Sequence, residues 1–281
     1  MIYECHGHII LDGVSYADSV ARHERGVDAS FIRQNLKICA DNGIIFYRDG
    51  GDKHGVGIYA KKVAGEYGID YRTPAYIIHK KGGYGHMFGR AFENLREYCA
   101  LVDEAGRLGA DFIKLTASGI IDYADGSVKG QPIDVEFPEM VNIAHGEGYA
   151  VMVHANGADN IKRAVEAGAD SIEHGFLIDR DALAMMAQTG TVWVPTCATA
   201  VNLIGSGRYD DAILRKISDD HKAAMTDAHK LGVLIACGSD AGASHVGQGT
   251  GAHDELAILT SLGIDPAAGN RKIERVFKSE K

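Results

Sequence analysis

No stretch of this chain holds the roughly 20 consecutive apolar residues needed to cross a bilayer. A secretory leader is not expected either, because Met1 runs straight into a short β-rich segment that carries His6 and His8. Cysteine is scarce. The five present, Cys5, Cys39, Cys99, Cys197 and Cys237, are odd in number, widely spaced and free of any CxxC pair. That excludes a disulfide scaffold and points to reduced thiols in a cytoplasmic protein. Positive charge is in deficit, with 29 Lys and Arg against 38 Asp and Glu and a formal net charge of −9. Nucleic acid is therefore not an expected partner, since it is held by clustered cations, and the short apolar runs argue against a membrane. Linkers and low-complexity stretches are also missing. Residues 1–281 read as one domain, long enough to bury a large core without staples.

What is present alternates. Short β-rich runs at 2–5, 44–47, 71–78, 112–115, 150–153, 171–173, 191–195 and 233–237 are separated by helical patterns at 29–42, 90–108, 137–148, 160–167, 181–189 and 212–231. Two helix-to-strand junctions are nearly repeats, Leu108-Gly109-Ala110-Asp111 and Ala167-Gly168-Ala169-Asp170, each with a glycine placed to cap a helix. Eight strand–helix units predict an α/β fold, a (β/α)8 TIM barrel. An open doubly wound sheet is the alternative, but it would gather its polar residues at one switch point. Here they stand at strand ends along the whole chain.

Those strand ends carry the chemistry. His6 and His8 lie two apart, on one face of the first strand, and the intervening Gly7 allows close approach by other groups. Lys114 follows on the fourth strand, His154 on the fifth, His174 on the sixth and Asp240 after the eighth. Taken singly, each has an ordinary structural reading: a histidine bonded to a carbonyl, or an aspartate in the turn Gly238-Ser239-Asp240-Ala241-Gly242. Lys114 is the odd one, since lysine is seldom buried without a partner. Six ligand-type residues converging on one barrel mouth are hard to explain as packing. Imidazoles and a carboxylate suit zinc or a similar divalent ion.

The stretches Cys5-His-Gly-His, Gly109-Ala-Asp-Phe-Ile-Lys, Val153-His-Ala-Asn-Gly, Asp170-Ser-Ile-Glu-His-Gly and Gly238-Ser-Asp-Ala-Gly together resemble the amidohydrolase superfamily. Within it, the chain is most similar to the imidazolonepropionase-like enzymes and the metal-dependent Xaa-Pro and Xaa-Arg dipeptidases. The resemblance implies two divalent metal ions, zinc by expectation. His6, His8 and Asp240 would hold one and His154 and His174 the other. Lys114, carboxylated by carbon dioxide, would bridge both. It also implies a hydroxide nucleophile between the ions, with Asp240 passing its proton to the leaving amine.

Departures from the family shape further expectations. Relatives carry additional segments that pair into a small β-sandwich, and none is legible here. The expectation is thus a barrel without the sandwich, its edges covered by another copy in a homo-oligomer. The subgroup's Gly-Gly-His-Gly loop reads Gly82-Gly83-Tyr84-Gly85-His86 in this sequence. Tyr84 stands where a substrate-contacting histidine is usual, and His86 and His245 are further candidates for gripping substrate. The function implied is hydrolysis of an amide bond in a small substrate, a dipeptide or N-acyl amino acid. Lactone or phosphotriester hydrolysis on the same two-metal site, or a non-catalytic metal-binding barrel, are the alternatives.

Overall fold

A computed structural model describes residues 1–130 and 133–278. Its strands are β1 (Ile2–Gly7), β2 (Ile44–Asp49), β3 (Asp70–Arg72), β4 (Ile77–Lys80), β5 (Gly89–Phe92), β6 (Ile113–Thr116), β7 (Val151–Ala155), β8 (Ser171–His174) and β9 (Val192–Val194). They form two sheets, ordered β1-β2-β3 and β5-β4-β6-β7-β8-β9, and every ladder between named strands is parallel. Segment 233–237, expected as the eighth strand, is irregular, with an isolated parallel bridge between Trp193 and Ile235. It still lies between β9 and β1. Trp193 N donates to Leu234 O (2.8 Å), and Cys5 N donates to Cys237 O (2.8 Å). Gly7 and Ala241 form a second parallel bridge. The architecture is an α/β fold of the (β/α)8 barrel type.

Two expectations need correction. The run 71–78 is not one strand, because Pro74 offers no N–H to a ladder and Ala75 takes a left-handed φ of 67°. Segment 90–108 does not start as a helix. Its first residues pair with β4 as β5, and the helix Leu95–Leu108 begins after Asn94, whose side chain accepts from Glu97 N. The near-repeated junctions have a shared cause. Asp111 Oδ2 accepts from Thr73 N (3.1 Å), in the link between β3 and β4, and Asp170 Oδ2 accepts from Val151 N (2.8 Å) in β7, so each aspartate ties the start of its own strand to an earlier segment of the barrel.

Alternation sorts the side chains. Ile113, Leu115, Val151, Val153 and Ile172 pack outward with helix residues such as Val102, Val141, Ile161 and Met186. Phe112, Met152 and Val194 cluster instead with Phe46 and Phe277, toward the N-terminal ends of the strands. That leaves Lys114 and His154, each two residues further along than Phe112 and Met152, above this apolar floor. The pairing of Thr116 with His154, and of Ala155 with His174, brings the ends of β6, β7 and β8 level.

Candidate active site

One cavity at the C-terminal ends of the strands is lined by His6, His8, Lys114, His154, His174 and Asp240. It is small, about 60 Å³, with room for a few water-sized groups. The His174 ring stands 4.8 Å from that of His6 and 4.7 Å from that of His154, centre to centre. Asp240 Oδ1 lies 3.7 Å from His6 Nε2 and 3.6 Å from His8 Nε2. His6, His8 and Asp240 each present a ligand atom within 4.8 Å of the others.

Local backbone explains how adjacent residues reach one interior. Glu173 and His174 would face opposite ways in a regular strand, yet both point inward, because His174, the last residue of β8, takes a left-handed φ of 65°. Asp240 has φ 60°, and its N–H is fixed to His6 O at 2.7 Å. Gly7 is needed because a Cβ there would lie 2.3 Å from the Tyr47 hydroxyl. Gly50 is needed for the same reason under His8, whose ring would stand 2.2 Å away.

Hydrogen bonds behind the site turn the rings. His6 Nδ1 donates to Glu173 Oε2 at 2.6 Å, which leaves Nε2 bare toward Asp240. Glu173 is fully buried and also receives Arg48 NH2 at 2.9 and 3.0 Å. Arg48, equally buried, also donates to Cys5 O (2.7 Å) and Ser171 Oγ (2.9 Å). His174 Nδ1 pairs with Thr196 Oγ1 at 2.8 Å. His154 Nε2 lies 3.0 Å from Gly119 O. A carbonyl only accepts, so that nitrogen carries the proton and Nδ1 keeps its lone pair. Glu4 accepts from Ser239 N at 2.8 Å and so anchors the residue before Asp240. Sequence reasoning missed Glu4, Arg48, Glu173 and Thr196. A signal existed for three of them, as charges inside otherwise apolar strands.

The electrostatics suit cation binding. Burial, then the Lys114 ammonium, pushes His8 and His154 down to about 3. His6 and His174 are lowered by burial too. All four imidazoles are therefore neutral at pH 7, the form in which an imidazole can bind a cation. Burial raises Asp240 to about 7. Lys114 is 2 % exposed, and its Nζ has no hydrogen-bond partner among the described residues. Burial pushes it down to about 8, which favours the uncharged amine. Neutral imidazoles with free lone pairs, a carboxylate and an orphaned amine fit divalent cations better than they fit each other.

The other sequence candidates part company here. Tyr84 and His86 line the cavity, and the Tyr84 ring sits 4.5 Å from that of His154. His245 is exposed and lines neither this cavity nor the one beside it.

Comparison with known proteins bears on family and fold. The sequence profile of the amidohydrolase family matches residues 72–274. An uncharacterized protein of Mycobacterium tuberculosis is 31% identical over 183 residues, covering 63% of this chain and 49% of that one. The ochratoxinase of Aspergillus niger is 29% identical over 187 residues, covering 64% of this chain and 38% of that one. The chain thus spans about half, or less, of the length of the curated relatives it matches. Among solved structures, a Xaa-Pro dipeptidase with methionine bound in its active site superposes with a TM-score of 0.78 at 25% identity, over 100% of this chain and 78% of that one. The A. niger ochratoxinase structure superposes with a TM-score of 0.76 at 22% identity, over 98% and 69%, and speaks to the fold alone.

Proposed function

The chain belongs to the amidohydrolase family, and from that premise we propose that it hydrolyses an amide bond in a small substrate, a dipeptide or an N-acyl amino acid. The observation that carries the reading is the Lys114 amine, buried and without a partner among five ligand-type side chains. An isolated buried cation is costly, and lysine without a role is rarely kept there. Carboxylation resolves the conflict. The neutral amine attacks carbon dioxide, a C–N bond forms as one C=O π pair moves onto oxygen, the nitrogen gives up a proton to water, and a carbamate anion with two oxygens results.

His6, His8 and Asp240 would hold one divalent ion, His154 and His174 a second, and the Lys114 carbamate both. When bound, such ions, zinc by the donor set, polarise a carbonyl and lower the pKa of water toward neutrality. The protein's own groups do the rest. Glu173 and Thr196 fix the orientation of His6 and His174. Asp240, raised to about 7 by burial, takes the proton from the attacking water and delivers it to the departing nitrogen. Tyr84 and His86 stand at the mouth to meet the substrate. The likeness to a Xaa-Pro dipeptidase and to an ochratoxinase favours amide substrates.

The test is amine release from a panel of dipeptides and N-acyl amino acids, with metal counted in the same sample. We expect close to two divalent ions per chain, with turnover lost on chelation and restored by zinc. Protein that takes up no metal in zinc-supplemented growth, or a fully loaded protein inert to the whole panel, would refute the proposal.

A further inference from the structure

The inner pocket is too small for a substrate, but a second cavity of about 360 Å³ adjoins it and shares Tyr16, Tyr84, Met87, Phe88 and Asp240 as walls. The remaining walls are largely apolar or aromatic, among them Tyr123, Tyr209, Ile121 and Leu203. Its size falls within the usual range for small-molecule sites.

Two cations line this vestibule, Lys129 and Arg208. Lys129 is neutralised, with Nζ 2.7 Å from Asp125 and 3.7 Å from Asp122. Arg208 makes no ion pair among the described residues. Its guanidinium gives one hydrogen bond, to Ser244 Oγ at 2.7 Å, and lies 5.6 Å from the Tyr209 ring centre. The loop carrying it is stitched to the loop after Asp240, because Asn202 Nδ2 donates to His245 O (3.1 Å) and to Asp254 Oδ2 (2.8 Å). The His245 backbone thus helps to set the rim. Arg208 is exposed there, held at one end and with donors to spare.

The vestibule is therefore polarised. The carboxylate of Asp240 is shared with the inner pocket, the unpaired guanidinium stands at the rim, and apolar walls lie between. We infer that this vestibule is the specificity subsite: it selects amides with an aromatic or large branched apolar group against its tyrosines and a carboxylate paired with Arg208. A planar guanidinium with free N–H groups matches a carboxylate, and the same charge disfavours substrates with a basic end. The inference rests on the amide-hydrolase reading of the inner pocket.

The probes are N-acetyl-L-phenylalanine, its C-terminal carboxamide and N-acetyl-L-arginine with the zinc-loaded enzyme, and 3-phenylpropionate as a ligand that cannot be hydrolysed. We expect kcat/KM to favour the free phenylalanine acid over its carboxamide and over the arginine compound by about tenfold each, mostly through KM and less so in high salt. Arg208→Met should bring the acid-to-carboxamide ratio close to one and weaken 3-phenylpropionate binding by about the same factor in calorimetry. Arg208→Lys should recover part of both. The circular dichroism of both variants should match the parent. Hydrolysis with equal rates on acid and carboxamide, or a ratio unchanged in Arg208→Met, overturns the subsite and leaves the hydrolase reading standing. Arg208-dependent binding of 3-phenylpropionate without hydrolysis of any amide does the reverse. Neither binding nor hydrolysis overturns both.

Discussion

The carboxylate of Glu173 braces His6 on one side and holds the buried guanidinium of Arg48 on the other, so Glu173→Gln should disturb two properties at once. The amide keeps the shape but loses the charge. Its NH2 group must face either the His6 Nδ1–H or the Arg48 NH2, both of which are donors. Removing one partner of a buried ion pair typically costs about 3–5 kcal/mol, because the other charge stays buried and unpaired. For a chain of this size about 1 kcal/mol moves the melting temperature by roughly 2–4 °C. The apo variant should therefore melt about 10 °C below the parent in thermal unfolding followed by circular dichroism. Metal affinity, from competition with a chromogenic chelator, should fall about 10–100-fold, the usual consequence of losing the partner of a ligating histidine. The decisive comparison is the double variant Arg48→Met, Glu173→Gln. With the unpaired cation gone, most of the lost stability should return, while the metal defect stays, because His6 still lacks its carboxylate. A double variant as unstable as the sum of the single ones, or one that regains full metal affinity, would refute the reasoning.

Lys114→Met should remove metal occupancy and turnover together yet leave the apo protein as stable as the parent or more so, since the amine has no partner to lose; a large drop in apo melting temperature would mark Lys114 as a structural residue. Asp240→Asn should keep much of the metal while kcat falls about a hundred- to ten-thousand-fold, as for a lost acid–base group; a kcat within a few-fold of the parent would assign the proton to another residue. Glu255 is fully buried, and burial raises it from 4.5 to about 7. The folded state thus holds one more proton than the unfolded state between those values. Stability linked to this group is complete below pH 4.5 and is lost as pH rises to 7, by about 3 kcal/mol. Urea unfolding of Glu255→Gln should show a shallower decline over that window, and a slope equal to the parent's would dismiss the claim.

Much of this arrangement is legible because the ligand-type side chains stand in or just after short β-rich runs. Lys114 and His154 stand out against isoleucine, leucine and valine neighbours, and alternation alone turns Lys114 inward. The run 71–78 reads as one strand because Tyr71, Tyr76, Ile77 and Ile78 are strong β-formers, a signal that outweighs the missing donor of Pro74, and the left-handed turn at Ala75 leaves no mark in composition. The braces were harder. Glu173 and Arg48 lie 125 residues apart, and Glu4 and Ser239 lie 235 apart. A sequence lists charges but not the distances between them. His245 looked like a substrate contact because it follows Asp240 closely. Its backbone takes φ 64°, and its side chain falls outside the cavities. Arg208 attracted no notice, since an exposed arginine becomes distinctive only when its neighbours prove to be tyrosines and its acidic partners prove absent.

The stitching of the 233–241 segment to β1, and of Phe277 beneath Arg48, whose guanidinium lies 4.3 Å from that ring, bears on the order in which the molecule assembles. These contacts join the first two strands to residues more than two hundred positions later, among the longest loops that this chain closes. Loops of that length close late, after local helices and neighbouring strands have formed. A chain in the course of folding therefore possesses a ladder from β4 to β9 before Asp240 is delivered beside His6. An ion held between His6 and Asp240 would then time the final step of folding and not the first.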